Sequence, residues 1–162
     1  GINIDTNGFN NKSGPRTFEA AAFLRRHGAD VTRVRKMLRT DMAEYRAVAQ
    51  AVSKATVYRD AFAITVFDGE GVESPTIDGA KAANQLLDIS GIKASFVITA
   101  YNNIIYISAR SIDEVNVQLV MEKLGGGGHM TIAGAQLTDC TVDQAVQTIK
   151  VTLDSMIQEG EI

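Results

Sequence analysis

From residue 61 onward, short runs of β-branched and aromatic residues alternate with stretches whose apolar residues recur every three or four positions. This alternation confines the chain to an α/β architecture, in which a sheet packs against helices. The strand-type runs cover 61–67, 94–100, 104–110 and 132–137. Asn102-Asn103 between the second and third reads as a hairpin turn, since asparagine tolerates the left-handed backbone that tight hairpins need. A helix is expected to start near Asp78, carry Ala82, Ala83, Leu86 and Leu87, and stop at Ser90-Gly91. Ser111 and Glu114 have the spacing of a capping box, predicting a helix with Val115, Leu119, Val120 and Leu124 that ends at a run of glycines. Thr141 and Gln144 form a second such pair. The helix they open carries Val142, Ala145, Val146, Ile149, Leu153, Met156 and Ile157 on one stripe, which is core-facing packing.

The first third differs. Ile2 and Ile4 read as the end of a strand that enters a polar loop from Asp5 to Pro15, and a chain opening inside a strand predicts that part of its chemistry lies upstream. A helix from Thr17 carries Phe18, Ala21, Ala22 and Leu24 and is stopped by Gly28. Asp30 caps a second, with Val34, Met37 and Leu38, and Asp41 with Glu44 caps a third reaching about residue 55. The expected organisation is a mainly helical segment, 1–57, followed by an α/β domain, 58–162.

Charge and composition narrow the function. Sixteen basic against nineteen acidic residues give a net charge of −3, which disfavours general coating of duplex nucleic acid. The segment 16–46 carries +4, leaving −7 elsewhere, and Arg33, Arg35, Lys36 and Arg39 read either as a solvated helix face or as a phosphate-facing one. No apolar run approaches the ~20 residues of a spanning helix, so the piece is expected to be soluble and without direct membrane contact. Cys140 is the single cysteine, which excludes an intramolecular disulfide and a cysteine-rich zinc site and reads as a small packed side chain.

Three places could carry chemistry. Gly125, Gly126, Gly127 and Gly128 remove every side chain from a turn, so that several backbone N–H groups could converge on an anion. This is not a Walker loop, because the glycines follow a helix and no Gly-Lys-Ser/Thr follows them. His129 beside them could donate to a phosphate or protonate a leaving group; a surface or capping histidine is the competing reading. Asp5 at the head of the polar loop is placed as a metal ligand or an acid would be, with an Asx turn as the alternative.

The residues Ile107-Ser108-Ala109-Arg110-Ser111, Val115-Asn116-Val117, Gly125 to Gly128 with His129, and Ala133-Gly134 resemble the signature of the DHH-associated C-terminal domain. Upstream, Gly1-Ile2-Asn3-Ile4-Asp5-Thr6-Asn7, Arg16-Thr17-Phe18-Glu19-Ala20-Ala21, Leu24-Arg25 and Gly28-Ala29-Asp30 resemble the last motif of the catalytic DHH domain. The form is most similar to that of the membrane-anchored cyclic di-AMP phosphodiesterases of the GdpP type. The resemblance implies a mixed β-sheet with flanking helices, preceded by the helical end of a DHH domain. It implies that Asp5 completes a two-manganese centre, and that Gly125 to Gly128 with His129 face that centre as a phosphate and nucleotide site lined by Arg110 and Ser111. His129 would then be a catalytic as well as a binding residue.

The implied parent is a bacterial signalling hydrolase converting cyclic di-AMP to pApA on the cytoplasmic side of the membrane, with a cyclic or short linear dinucleotide as its ligand. The upstream histidine and aspartate ligands and the Asp-His-His motif are absent from this sequence. One carboxylate cannot hold two manganese ions, so this chain alone is expected to be inactive and to bind no manganese. Two alternatives remain: a stand-alone DHH phosphoesterase acting on short oligoribonucleotides or pAp, and a non-catalytic nucleotide- or RNA-binding module. Apolar surface left exposed in the first third would favour a homodimer.

Overall fold

A computed structural model describes residues 1–10 and 12–162; residue 11, within the polar loop singled out above, lies outside the described residues. The chain divides into two compact units, Gly1–Thr40 and Asp41–Ile162.

The first unit holds α1 (Ile2–Asp5), α2 (Pro15–Arg26) and α3 (Val31–Met37). The expected strand end at Ile2 and Ile4 is instead a single helical turn, in which the Ile4 and Asp5 amides both donate to the Gly1 carbonyl at 2.9 and 3.2 Å. A strand needs a neighbouring strand to receive its amides, and none is present among the described residues of this unit, so the groups pair locally. Helix α2 starts at Pro15, two residues before the expected Thr17, because proline at the first position loses only an N–H that would have no partner anyway. Gly28 follows its end at φ +93°, and Asp30 caps α3 by accepting from the Thr32 and Arg33 amides at 2.9 and 3.1 Å. Thr6 is the one fully buried residue among those described here, while Phe18, Phe23, Leu24, Val34, Met37 and Leu38 stay exposed.

The second unit runs α4 (Met42–Ser53), β1 (Thr56–Tyr58), β2 (Phe62–Phe67), α5 (Pro75–Leu86), β3 (Ala94–Tyr101), β4 (Ile104–Ser111), α6 (Val117–Glu122), β5 (Gly127–Gly128), β6 (Ile132–Leu137) and α7 (Val142–Glu159). Its sheet has the order β1-β2-β3-β4-β6-β5. The sheet is mixed: β2 and β3 run parallel across the α5 crossover, and every other pair is antiparallel. Asn102 and Asn103 turn the β3–β4 hairpin with φ of 51° and 61°, as their residue types predict.

Two cores lie on opposite faces. On one, Phe96, Ile98, Ile107 and Ala109 pack with Val120 and Met121 of α6 and Ile149, Leu153 and Met156 of α7. On the other, Phe67 and Val97 pack with Val48 and Ala51 of α4 and Ala82 and Leu86 of α5. The α7 stripe is therefore core, except that Ile157 remains substantially exposed, and the Thr141–Gln144 capping box is formed in both directions. Helix α4 shares the second core, and the Ala51 carbonyl accepts from the buried Thr65 hydroxyl at 2.7 Å, so by packing α4 belongs to the second unit.

Helix α5 begins at Pro75, three residues before the expected Asp78, which is buried in its first turn and paired with Lys81 at 2.9 Å. The expected capping role of Ser111 is also corrected. Ser111 ends β4 opposite Ala94, and Asn116 caps α6 by accepting from the Gln118 amide at 3.1 Å. No helix among the described residues is long and apolar enough to cross a membrane.

Candidate functional site

Strand β4 alternates, and the alternation decides what faces where. Ile105, Ile107 and Ala109 are buried toward α6 and α7, so Tyr106, Ser108 and Arg110 point to the opposite face, that of α5. Helix α5 lies over β3 and part of β4 on that side, with α4 over β2, and beyond it the surface of β6 and β5 is open: Ile132 and Gln136 are exposed, Gly134 half-buried, while Tyr106, Ser108 and Arg110 of β4 are half-buried at its margin.

The glycine run ends α6 and turns into the sheet edge. The Gly125 amide donates to the Glu122 carbonyl at 3.0 Å and the Gly126 amide to the Met121 carbonyl at 2.8 Å, a Schellman closure with Gly125 at φ +76°. Gly127 and Gly128 then lie opposite Gly134 and Ala133. His129 and Ile132 continue the ladder by exchanging both backbone bonds, at 2.7 and 3.2 Å. Pairs in an antiparallel ladder alternate between bonded and non-bonded, so the 128–133 pair is non-bonded and the Gly128 N–H points off the free edge of the sheet.

The expected cradle of converging amides is therefore corrected. The amides of Gly125, Gly126 and His129 already donate to carbonyls of this chain, and Gly128 is the residue of the run whose N–H the ladder directs outward. A Cβ on Gly126 would lie 2.2 Å from the Gly134 carbonyl oxygen, and one on Gly128 would lie 2.4 Å from that of Ile132, so both positions demand glycine for close backbone approach. At Gly127 a Cβ would meet nothing within 4 Å, because that position faces the open side.

The same register gathers the functional candidates. Gly127 and His129 share a face with Gly134 and Ile132, which are paired with Ser108 and Arg110. His129 is exposed, and its ring has no partner among the described residues. Arg110 is half-buried, with Nη1 donating to the Ala109 carbonyl at 2.9 Å and the Ala133 carbonyl at 3.4 Å. No carboxylate pairs with it among the described residues, and burial pulls its pKa below the ordinary arginine value. A partly desolvated guanidinium without a counter-ion has the chemistry to receive an anion, since an entering anion restores the electrostatic stabilisation that water supplied.

Ser111 is not brought to that face. Neighbouring strand residues point oppositely, and its buried hydroxyl donates to the Val115 carbonyl at 2.6 Å, with the Met130 carbonyl 3.4 Å away, which holds the segment after β4 against the β5–β6 hairpin. Tyr106 and Ser108 were missed in the sequence reading although the signal was present: they precede Arg110 by four and two positions in a strand that alternates apolar and polar. Neither hydroxyl has an internal partner among the described residues.

Asp5 sits exposed on α1 in the first unit. Among the described residues no three histidine, cysteine, aspartate or glutamate side chains come together, so the residues of this chain do not by themselves fit a manganese centre.

The open face, the unpaired arginine and the glycine edge all lie within 60–159, the segment matched by the DHHA1 domain family. The chain belongs to that family. The DHHA1 chain is 41% identical to the cyclic-di-AMP phosphodiesterase GdpP of Geobacillus thermodenitrificans over 99% of its own length and 24% of that protein. To the cyclic-di-AMP phosphodiesterase PdeA of Listeria monocytogenes it is 40% identical over 96% of its length and 24% of the relative. The DHHA1 chain thus spans about a quarter of the relatives it matches. In fold it is similar to an exopolyphosphatase-related protein from Bacteroides fragilis, with a TM-score of 0.83, 23% identity, and coverage of 96% of this chain and 48% of that one.

Proposed function

We propose that this chain is the nucleotide-binding part of a metal-dependent phosphodiesterase that hydrolyses cyclic di-AMP to pApA. The observation that carries the reading is Arg110, half-buried and without a carboxylate partner, on one open sheet face with His129 and the glycine edge. Two relatives about 40% identical over nearly the whole chain bear the name cyclic-di-AMP phosphodiesterase, which supports this substrate.

Arg110 receives a phosphate oxygen through its guanidinium. His129 reaches the same phosphate from the β5–β6 hairpin and donates to its oxygens as charge builds on them during displacement. Ser111 acts only through the fold, by fixing the hairpin. The manganese ions belong to residues of the longer protein, with Asp5 as the single ligand this chain supplies.

Calorimetric titration with pApA and cyclic di-AMP at two salt concentrations tests the reading. Saturable binding that weakens only mildly with salt is expected, because a pocket neutralises one or two phosphates where a backbone-tracking RNA binder neutralises many. Steep salt dependence, or no binding by the longer protein either, overturns it.

Two variants sharpen the assignment. His129→Ala is expected to weaken pApA binding about tenfold, the worth of a charge-assisted hydrogen bond, while leaving the thermal midpoint unchanged because the ring has no internal partner. A lower midpoint with binding intact would make His129 structural. In the longer protein, Asp5→Asn is expected to abolish manganese-dependent turnover while pApA binding by the DHHA1 part persists. Turnover at the wild-type rate would remove Asp5 from the ligand set.

A further inference from the structure

Next to the face of Arg110 lies a cavity of about 340 Å³ that the phosphate site does not use. It is bounded by the segment after α5, residues 87–93, and by Ile112 and Glu114 after β4. Two of its lining residues lie just beyond the ends of β3 and β4 near Arg110. Ile112 follows Arg110 by two residues, and Lys93 precedes by two the residue Ser95, which is paired with Arg110 in register. Its volume is near the lower end of the roughly 300–1,000 Å³ typical of small-molecule sites, enough for one base or nucleoside rather than a whole dinucleotide.

The lining has the chemistry of a purine. Ile89 and Ile112 offer apolar surface and are 44% and 62% exposed, although the neighbouring Ile92 is buried. The backbone of 87–91, which borders the cavity, carries both signs of hydrogen-bonding group. Among the described residues, the N–H groups of Ser90 and Gly91 have no internal acceptor, and the carbonyls of Leu87 and Asp88 have no internal donor. A purine edge needs both, with donors for its ring nitrogens and acceptors for an exocyclic amine. At the rim, Lys93 and Glu114 form an ion pair at 3.1 Å and so neutralise each other beside the opening.

We propose that this cavity is a nucleobase subsite, taking the purine of the nucleotide whose phosphate Arg110 receives. Ile89 and Ile112 pack against the ring, and the backbone of 87–91 meets its polar edge. The proposal rests on the phosphate reading given above.

The test compares AMP with ribose 5-phosphate, which differ only in the base, by titrating the chain carrying labelled isoleucine methyl groups. AMP is expected to bind about tenfold tighter, the worth of burying one face of a base, and to move the Ile89 and Ile112 methyl signals upfield by ring current. The double variant Ile89→Ala, Ile112→Ala should bind AMP no better than ribose 5-phosphate, with ribose 5-phosphate binding unchanged. Both side chains are largely exposed, so the fold survives the change. Equal affinities in the wild type with unmoved methyl signals, and both ligands lost in Arg110→Gln, would overturn the base subsite and leave the phosphate site standing. Equal losses of both ligands in the double variant would also overturn it. Failure of the wild-type chain and of the longer protein alike to bind either ligand at millimolar concentration would overturn the phosphate reading and the subsite together.

Discussion

Gly126→Ala is expected to cost the second unit about 3 kcal/mol, the upper part of the range for overpacking a closely packed site. The added Cβ would lie 2.2 Å from the Gly134 carbonyl oxygen and 2.7 Å from the Ala135 Cα. Both are backbone atoms of β6, a strand paired on both sides, so no flexible side chain can yield. Gly127→Ala, one residue on, should change stability by no more than about 0.5 kcal/mol, because its Cβ meets nothing within 4 Å and its φ is not positive. Urea denaturation of the two variants checks this contrast. Similar losses at both positions would mean that the hairpin is held some other way. Gly127→Ala should nonetheless weaken pApA binding, since the new methyl group projects onto the face shared with Arg110 and His129.

The second large effect is on affinity. Arg110→Gln is expected to weaken pApA binding by about a hundredfold, equivalent to about 3 kcal/mol for a charge-assisted contact to phosphate. Stability should hold or rise, because the substitution removes a partly desolvated cation that has no carboxylate partner, and a glutamine amide can still donate to a strand carbonyl. Calorimetric titration beside a thermal melt reads both quantities. A fall in the midpoint with affinity preserved would show that Arg110 serves the sheet rather than an anion.

Much of the second unit was legible because its signals are local. The α7 stripe and its Thr141–Gln144 box, the Asn102-Asn103 turn, the extent of β6 and the Asp30 cap are each set within a few residues of chain. The misses share a cause. Ser111 and Glu114 have capping spacing, yet the Ser111 amide donates to the Thr131 carbonyl at 3.0 Å, a partner twenty residues away that holds Ser111 to the hairpin. Strand β1 and the two-residue β5 exist only because β2 and β6 lie beside them.

The site divides the same way. Arg110, His129 and the glycine run are candidates on the sequence, Arg110 through the resemblance alone, and the alternation of β4 adds Tyr106 and Ser108. Their placement on a common face depends on the pairing of β4 with β6 and of β6 with β5, which no single segment specifies. The glycines show this most clearly. Four in a row announce a turn without side chains, but close approach to β6 is what requires Gly126 and Gly128, and the alternation of ladder bonds is what aims one amide outward.

The sequence by itself determined the α/β class, most elements of the second unit and the residue types able to hold an anion, because periodicity, caps and turn residues act over a few positions. Only the tertiary structure decided which face each residue serves, that residues 2–5 form a helical turn, and that Ser111 supports the hairpin, because a backbone or hydroxyl group takes whichever partner the fold brings within hydrogen-bonding distance.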